Sequence, residues 1–377
     1  MTMAALRRPL VRSCGHRGFS AYSLRAREEM PILRAPDIII LDGYTINPGD
    51  NPWTPVQAVG PCTIHDRTPA ELTIERARNA DVLLTSKVRL DAPILERLPK
   101  LRYVSLLASG YDNVDVIAAG RLGIPVSNVP RYCAASVAQT AFALLMELAI
   151  GVGQHDGAVK AGRWICCPDH GFYDRPIVEL QGLTLGIVGY GSNGRALARV
   201  GAAFGMALVA YTPRLPEFAG PVSIGFVSLA QLFACADVVA LTCPLTSENA
   251  GFVNARLLAT MKKTAFLLNV ARGGLVNEAD LADALRSGAI AGAALDVVAH
   301  EPMRPDNPLL QAPNCVFTPH LGWAALAARR RLVAAVAQNI ASFVAGSPQN
   351  VVNAPWLGGT SATSTSRSSS IGASLGK

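Results

Sequence analysis

The chain has 377 residues, 50% hydrophobic and 16% charged, which suits a folded body of two domains and excludes a disordered chain. Its formal net charge of +7 sits at the ends: residues 1–34 hold seven Arg and two Glu, and 357–377 hold only Arg367 and Lys377, so 35–356 are neutral. A neutral body carries no electrostatic footprint for nucleic acid.

The arm 1–34 is Arg-rich, contains Ser and is poor in acid. That composition fits an organellar transit peptide over 1–29, or an upstream extension with Met30 as the true start. We expect the second, and with it a cytoplasmic protein; a mitochondrial or other organellar address is the alternative. From 37 to 130, strand-like segments (Asp37–Leu41, Val82–Thr85, Arg102–Leu107 and Pro125–Asn128) alternate with amphipathic helical ones (71–80 and 92–98), a βα pattern that predicts a mainly parallel sheet. A turn around 109–111 leads to a helix that Asp112 is expected to cap. Residues 136–159 read as one long helix linking the two domains, with Gly151, Gly153 and Gly157 as its only breakers. Its most apolar part, 141–153, is too short for a membrane span and carries Glu147.

A second βα series begins at Leu183, with strands expected at 183–189, 206–211, 237–243, 264–270, 291–297 and 315–319. A last helix, 325–346, is expected to return to the first domain. The fold is thus α/β, with two doubly wound parallel sheets and a cleft between them. The segment 356–377 is rich in Ser, Gly and Thr and is expected to be disordered. The eight Cys (14, 62, 133, 166, 167, 235, 243 and 315) form no CxxC or Cys/His spacing. They read as free thiols in a reducing compartment, with no metal.

The most telling stretch is Leu183–Gly194, LTLGIVGYGSNG. An aliphatic run ends in Gly189-Tyr-Gly191-Ser192-Asn193-Gly194 and a helical segment follows. This is the strand, tight turn and helix of a dinucleotide site: the first Gly permits the turn, the second lets a pyrophosphate approach, and the third lets helix and strand pack closely. Three polar residues follow later strands: Arg272, Glu301 and His320. Ligands of open α/β sheets gather at those strand ends. A guanidinium there suits a carboxylate or a polarised carbonyl. An imidazole can give or take a hydroxyl proton, and a carboxylate on its far nitrogen holds the tautomer.

With these residues in hand, the chain resembles the D-isomer-specific 2-hydroxyacid dehydrogenases over about 35–355. The matching stretches are SGYDNVD (109–115), PVSNVPRYCAASVAQ (125–139), GIVGYGSNG (186–194), CPLT (243–246), NVARGGLVNEADL (269–281), ALDVVAHEP (294–302) and NPLLQAPNCVFTPH (307–320). The resemblance implies a discontinuous, flavodoxin-like substrate domain (35–131 and 321–355) around an inserted Rossmann nucleotide-binding domain (132–320). It implies Arg272, Glu301 and His320 as catalytic residues and a homodimer. It implies a substrate carboxylate held by Arg272 and by backbone N–H groups around Ser109 and Gly110. It also implies Cys243, Val270 and Asp296 at the cofactor, Asp296 on the nicotinamide side. LDGYTINPGDNPW (41–53), the 163–177 run and HLGWA (320–324), with Trp323, are similar to the glycerate dehydrogenase/hydroxypyruvate reductase branch. That implies a small-molecule 2-keto acid as substrate and neither nucleic acid nor membrane as partner.

Two positions depart from the family. Asn193 stands where relatives mostly have Ile. No Asp or Glu lies between Gly194 and Glu217 to grip a ribose hydroxyl, and the strand before Thr212-Pro213-Arg214 ends in a hydroxyl and a guanidinium instead. That pattern predicts NADP(H) as the preferred cofactor, with NAD(H) the alternative. 3-Phosphoglycerate dehydrogenase stays open as another activity, although the first-domain loops show no obvious basic cluster apart from Lys87, Arg89 and Arg131. An NAD(P)-binding sensor, like the corepressors related to this family, stays open as a non-enzymatic one.

Overall fold

A computed structural model describes residues 34–217 and 220–358; the basic arm before Arg34 and the Ser-rich tail lie outside them. The first sheet has five parallel strands: β1 (Ile38–Ile40), β2 (Cys62–Ile64), β3 (Val82–Thr85), β4 (Tyr103–Leu106) and β5 (Val126–Ser127), in the order β2-β1-β3-β4-β5. This is the flavodoxin-like order. β1, β3 and β4 are buried along their whole length, as strands covered on both faces must be, which is why they read as unbroken apolar runs.

The second sheet has seven parallel strands: β6 (Thr184–Val188), β7 (Ala207–Tyr211), β8 (Gly225–Phe226), β9 (Val238–Leu241), β10 (Phe266–Asn269), β11 (Gly292–Leu295) and β12 (Cys315–Phe317). Their order, β12-β11-β10-β9-β6-β7-β8, is the Rossmann order with one strand added, and its switch point lies between β6 and β9. The helix Ala134–Ile150 packs on β10, β11 and β12, whereas the helix Leu326–Val344 packs on β4 and the short helix Thr54–Gln57. The chain therefore leaves the first sheet once, builds the second, and returns. The return is locked by Asn353, fully buried, which accepts from the Val126 N–H at 2.8 Å and donates to the Ile124 carbonyl at 2.9 Å.

Three expectations need correction. The single helix over 136–159 is two, Ala134–Ile150 and Val152–Lys160, bent by 58°. Gly151 between them adopts the left-handed region at φ 71 and closes the first with a hydrogen bond to the Glu147 carbonyl, the usual role of a helix-ending glycine. Asp112 does not cap the helix Val116–Arg121; Asp115 does, accepting from the Ala118 N–H at 2.9 Å. Two strands were missed, β2 and β8. Both are edge strands of two or three half-exposed residues, too short and too polar in setting to leave a period. Among the described residues no single helix is long and apolar enough to cross a membrane, and no group of three His, Cys, Asp or Glu could hold a metal ion.

Candidate active site

Three loops at the C-terminal ends of β10, β11 and β12 face the loop that follows β4. At the end of β10, Asn269 is buried and folds the chain back on itself. Its side chain accepts from the Ala271 N–H at 3.1 Å and donates to the Arg272 carbonyl at 2.9 Å. Gly273 then lies so close to Val298 that a Cβ would overlap that residue's backbone. The loops after β10 and β11 are thereby pressed together, the loop that bears Arg272 against the loop that leads to Glu301. The Arg272 guanidinium reaches across to the first sheet. Its Nε donates to Asp112 Oδ2 at 3.2 Å, its Nη1 to its own neighbour's carbonyl, Ala271, at 2.8 Å, and its Nη2 lies over Gly110, where any Cβ would collide with it.

His320 follows β12 in the left-handed region at φ 56, which costs a non-glycine residue about 1–2 kcal/mol. Neighbours hold it there. Its N–H donates to the Asp296 carbonyl at 2.8 Å, and the Asp296 carboxylate accepts from Thr318 Oγ1 at 2.6 Å, Leu321 N at 2.7 Å and Gly322 N at 2.8 Å. The ring turns Nδ1 to Glu301 Oε2 at 2.7 Å. A carboxylate there accepts Nδ1–H, so Nε2 is the nitrogen left to address a ligand. Burial pushes the Glu301 carboxyl up. The hydrogen bond and charge of His320, with the charge of Lys87 and the Val298 N–H, more than offset this and hold it below its ordinary 4.5.

The loop opposite is equally fixed. Ser109 donates its hydroxyl to the Val129 carbonyl at 2.7 Å, and Asn128 donates to the Ser109 carbonyl at 2.6 Å. The Ser109 side chain is thus engaged within the protein, but among the described residues the Ser109 and Gly110 N–H groups have no protein acceptor. Alongside, Asp42 accepts from the backbone N–H groups of Ser86, Lys87 and Val88 at 2.8, 2.6 and 3.2 Å, pinning the loop that carries Lys87.

The turn after β6 has the shape a dinucleotide needs. Gly189 is at φ 97, and a Cβ there would sit 2.6 Å from the Cys243 nitrogen; at Gly194 a Cβ would overlap the Gly189 carbonyl. Gly191 faces open space, and the helix Ser192–Ala203 that starts after it has no side-chain cap, so its first N–H groups are free to meet a phosphate. Ser192 and half-buried Asn193 stand in that first turn, and Asn193 makes no side-chain hydrogen bond among the described residues. Burial pushes the Cys243 thiol up to about 11, so it is a neutral wall at neutral pH. Val270 is buried at the end of β10. Thr212 and exposed Arg214 follow β7, next to the Gly189 turn, whose N–H bonds the Tyr211 carbonyl at 2.8 Å.

Comparison with known proteins fits this architecture. A family model described as D-isomer specific 2-hydroxyacid dehydrogenase, NAD binding domain, matches residues 142–322. A hydroxypyruvate reductase of Blautia hydrogenotrophica is 44% identical over 319 residues, covering 84% of this chain and 99% of that protein. The chain belongs to the D-isomer-specific 2-hydroxyacid dehydrogenase family. This dehydrogenase is an NAD(P)-dependent oxidoreductase of the hydroxypyruvate reductase/glycerate dehydrogenase branch. It is also similar to a glycerate dehydrogenase of Methylorubrum extorquens, 38% identical over 289 residues (76% of this chain, 90% of that one). Among solved structures it is similar to an NADPH-dependent glyoxylate/hydroxypyruvate reductase from Sinorhizobium meliloti, in complex with NADP and malonate. That likeness has a TM-score of 0.74 and 29% identity, and covers 87% of this chain and all of that one.

The geometry of the dehydrogenase thus brings Arg272, Glu301, His320, Ser109 and Gly110 to one cleft, with Gly189, Gly191 and Gly194 at the neighbouring switch point. Asp296 is nearby but turns its carboxylate to the loop that bears His320. Sequence reading missed the ligating roles of Asp112, Asn128, Asn269 and Thr318. All four stood inside motifs already singled out.

Proposed function

We propose that the chain reduces a short 2-keto acid, hydroxypyruvate or glyoxylate, to the 2-hydroxy acid, D-glycerate or glycolate. The observation that carries this reading is the His320–Glu301 pair on loops at the same sheet end as Arg272, whose guanidinium overhangs Gly110 in the loop with two open backbone N–H groups. A carboxylate fits the Ser109 and Gly110 N–H groups and Arg272, which leaves the adjacent carbonyl oxygen toward His320 Nε2. A reduced nicotinamide, when bound at the Gly189–Gly194 turn, supplies the hydride that the keto carbon takes up. His320 gives the Nε2 proton to the oxygen as the C–O bond becomes single, and ends neutral. Glu301 keeps Nδ1 protonated throughout and fixes the ring's orientation. Arg272 balances the charge gathering on that oxygen.

NADPH is the proposed coenzyme. Support comes from the missing acid between Gly194 and Glu217, and from Arg214 exposed just past β7. A carboxylate would repel a 2′-phosphate, whereas a guanidinium gains a charge-assisted hydrogen bond of about 1.5–3 kcal/mol. The test is absorbance loss with a panel of hydroxypyruvate, glyoxylate, pyruvate and phosphorylated hydroxypyruvate against both coenzymes. Hydroxypyruvate or glyoxylate with NADPH is expected to give the highest kcat/KM, and Arg214→Ala to lower the NADPH/NADH ratio about tenfold. A strong NADH preference defeats the coenzyme proposal. No turnover with any keto acid defeats the enzymatic one.

A homodimer is proposed too. Past the helix Ala134–Ile150 the chain exposes Val152, Trp164, Ile165 (87% exposed), Tyr173 (72%) and Ile177. Beside them lie cavities of about 600 and 580 Å³, lined by Tyr173–Ile177 and by Met146, Ile150 and Phe204 among others. So many exposed apolar side chains in one stretch favour cover by a second copy. Wild type is expected to sediment as a dimer and Ile165→Asp as a monomer; a monomeric wild type at micromolar concentration would overturn this.

A further inference from the structure

Among the ion pairs of the described residues, Arg272–Asp112 alone joins the first sheet's unit to the second's. The Asp112 side chain is 70% exposed and that of Arg272 34%. A pair this open adds little to stability, so the contact calls for another account. The way it is made supplies one. Asp112 offers a single oxygen, Oδ2, to Nε, on the side edge of the guanidinium. A bidentate carboxylate would take two of the guanidinium's N–H donors; this one takes Nε alone. Here Nη1 gives one hydrogen to the Ala271 carbonyl, and Nη2 extends over Gly110. Of the five N–H donors of the group, two are committed to holding its plane, and Nη2 lies over Gly110, in the loop with the open Ser109 and Gly110 N–H groups.

We propose that Asp112 is a positioning residue, which sets the Arg272 fork over the Gly110 loop and completes the substrate's anion site only when the two sheets' ends are apposed. The proposal rests on the keto-acid reading above. Asp112 touches neither the substrate nor the reacting atoms; it acts through Arg272. Because one partner lies on each side of the cleft, an opened cleft leaves the guanidinium unheld and the carboxylate site incomplete. Substrate capture and closure are then one event, and the coenzyme, held by the second sheet alone, is bound without it.

The test uses the full chain and the variants Asp112→Ala and Asp112→Asn, alone and in an Arg272→Ala background. Steady-state kinetics with hydroxypyruvate at saturating NADPH is read beside NADPH affinity by fluorescence, thermal midpoint, and the midpoint shift given by oxamate with NADP. Asp112→Ala is expected to raise KM about tenfold with a smaller change in kcat, the mark of lost substrate binding by one charge-assisted hydrogen bond. Its NADPH affinity and thermal midpoint should stay at wild-type values, and the oxamate shift should shrink. Asp112→Asn keeps an oxygen for the Nε–H and should recover most of the loss. In the Arg272→Ala background the Asp112 change should have no further effect, because the two act as one unit. An unchanged or lowered KM in Asp112→Ala makes Asp112 a bystander or a competitor and overturns the proposal, as does a full, additive loss in the Arg272→Ala background. A wild-type protein inert toward every keto acid removes the parent reading and this one with it. A wild type that turns over beside an indifferent Asp112→Ala removes only this one.

Discussion

His320→Ala is expected to lower kcat about 10³-fold, in the middle of the range for loss of a general acid, while NADPH affinity stays within about twofold. The two effects separate because His320 stands on the loop after β12, away from the Gly189–Gly194 turn that would meet the phosphates. Neither of the two other groups assigned to catalysis replaces the lost proton. Arg272 is a donor that does not deprotonate in proteins, and Glu301 touches the ring rather than the space beyond Nε2. Glu301→Gln should cost less, since an amide oxygen can still accept from Nδ1. The pH dependence has a definite sign. Burial raises the Glu301 carboxyl, but the His320 hydrogen bond and charge prevail and hold it below 4.5. A carboxyl lowered in the folded state contributes fully above its ordinary value and loses that contribution only as pH falls through the lowered one. The kcat of wild type should therefore show no acid limb from Glu301 above pH 4.5, the ordinary value for the group. Wild-type turnover by His320→Ala would end the mechanism.

Much of this arrangement is legible in the chain because parallel strands buried on both faces write themselves as aliphatic runs, and because open α/β sheets put ligands past strand ends. Val82–Thr85 and the Gly189 turn needed no more than that, nor did the succession of Arg272, Glu301 and His320. What stayed hidden is of two kinds. Short edge strands such as Cys62–Ile64 bury little and leave no pattern. Side-chain commitments are invisible too, because they join distant segments: Arg272 finds Asp112 across 160 positions, and the Ser109 hydroxyl turns to Val129 rather than to the cleft. Asp112 is the expected helix cap, and Asp115 stands three positions further on. Only the fold shows that the second caps and the first is left free to bridge the sheets.

Asp296 illustrates the same point with a large expected effect. Its motif position suggested a coenzyme contact, yet it is 2% exposed and its carboxylate receives Thr318 Oγ1, Leu321 N and Gly322 N. Removing it leaves three donors without an acceptor, at about 1–3 kcal/mol each before relaxation. Asp296→Ala should thus lose about 4 kcal/mol of stability in urea unfolding and melt about ten degrees lower. Asp296→Asn should lose about half as much, since its NH₂ must face one of the three N–H or O–H groups instead of accepting from it. The loop has little room to adjust. A Cβ at Gly322 would already stand 2.9 Å from Asp296 Oδ2, so backbone and carboxylate are in close contact. The held turn is the one that keeps His320 at φ 56, and letting it relax moves the imidazole off the carbonyl it must protonate. A displacement of about 1 Å suffices for a 10²-fold fall in kcat, which both variants should show at temperatures where they remain folded. If Asp296→Asn kept the wild-type urea midpoint and kcat, the turn would be held by its other bonds, those from His320 N to the Asp296 and Thr318 carbonyls among them, and the buried carboxylate would be left without a reason in this fold.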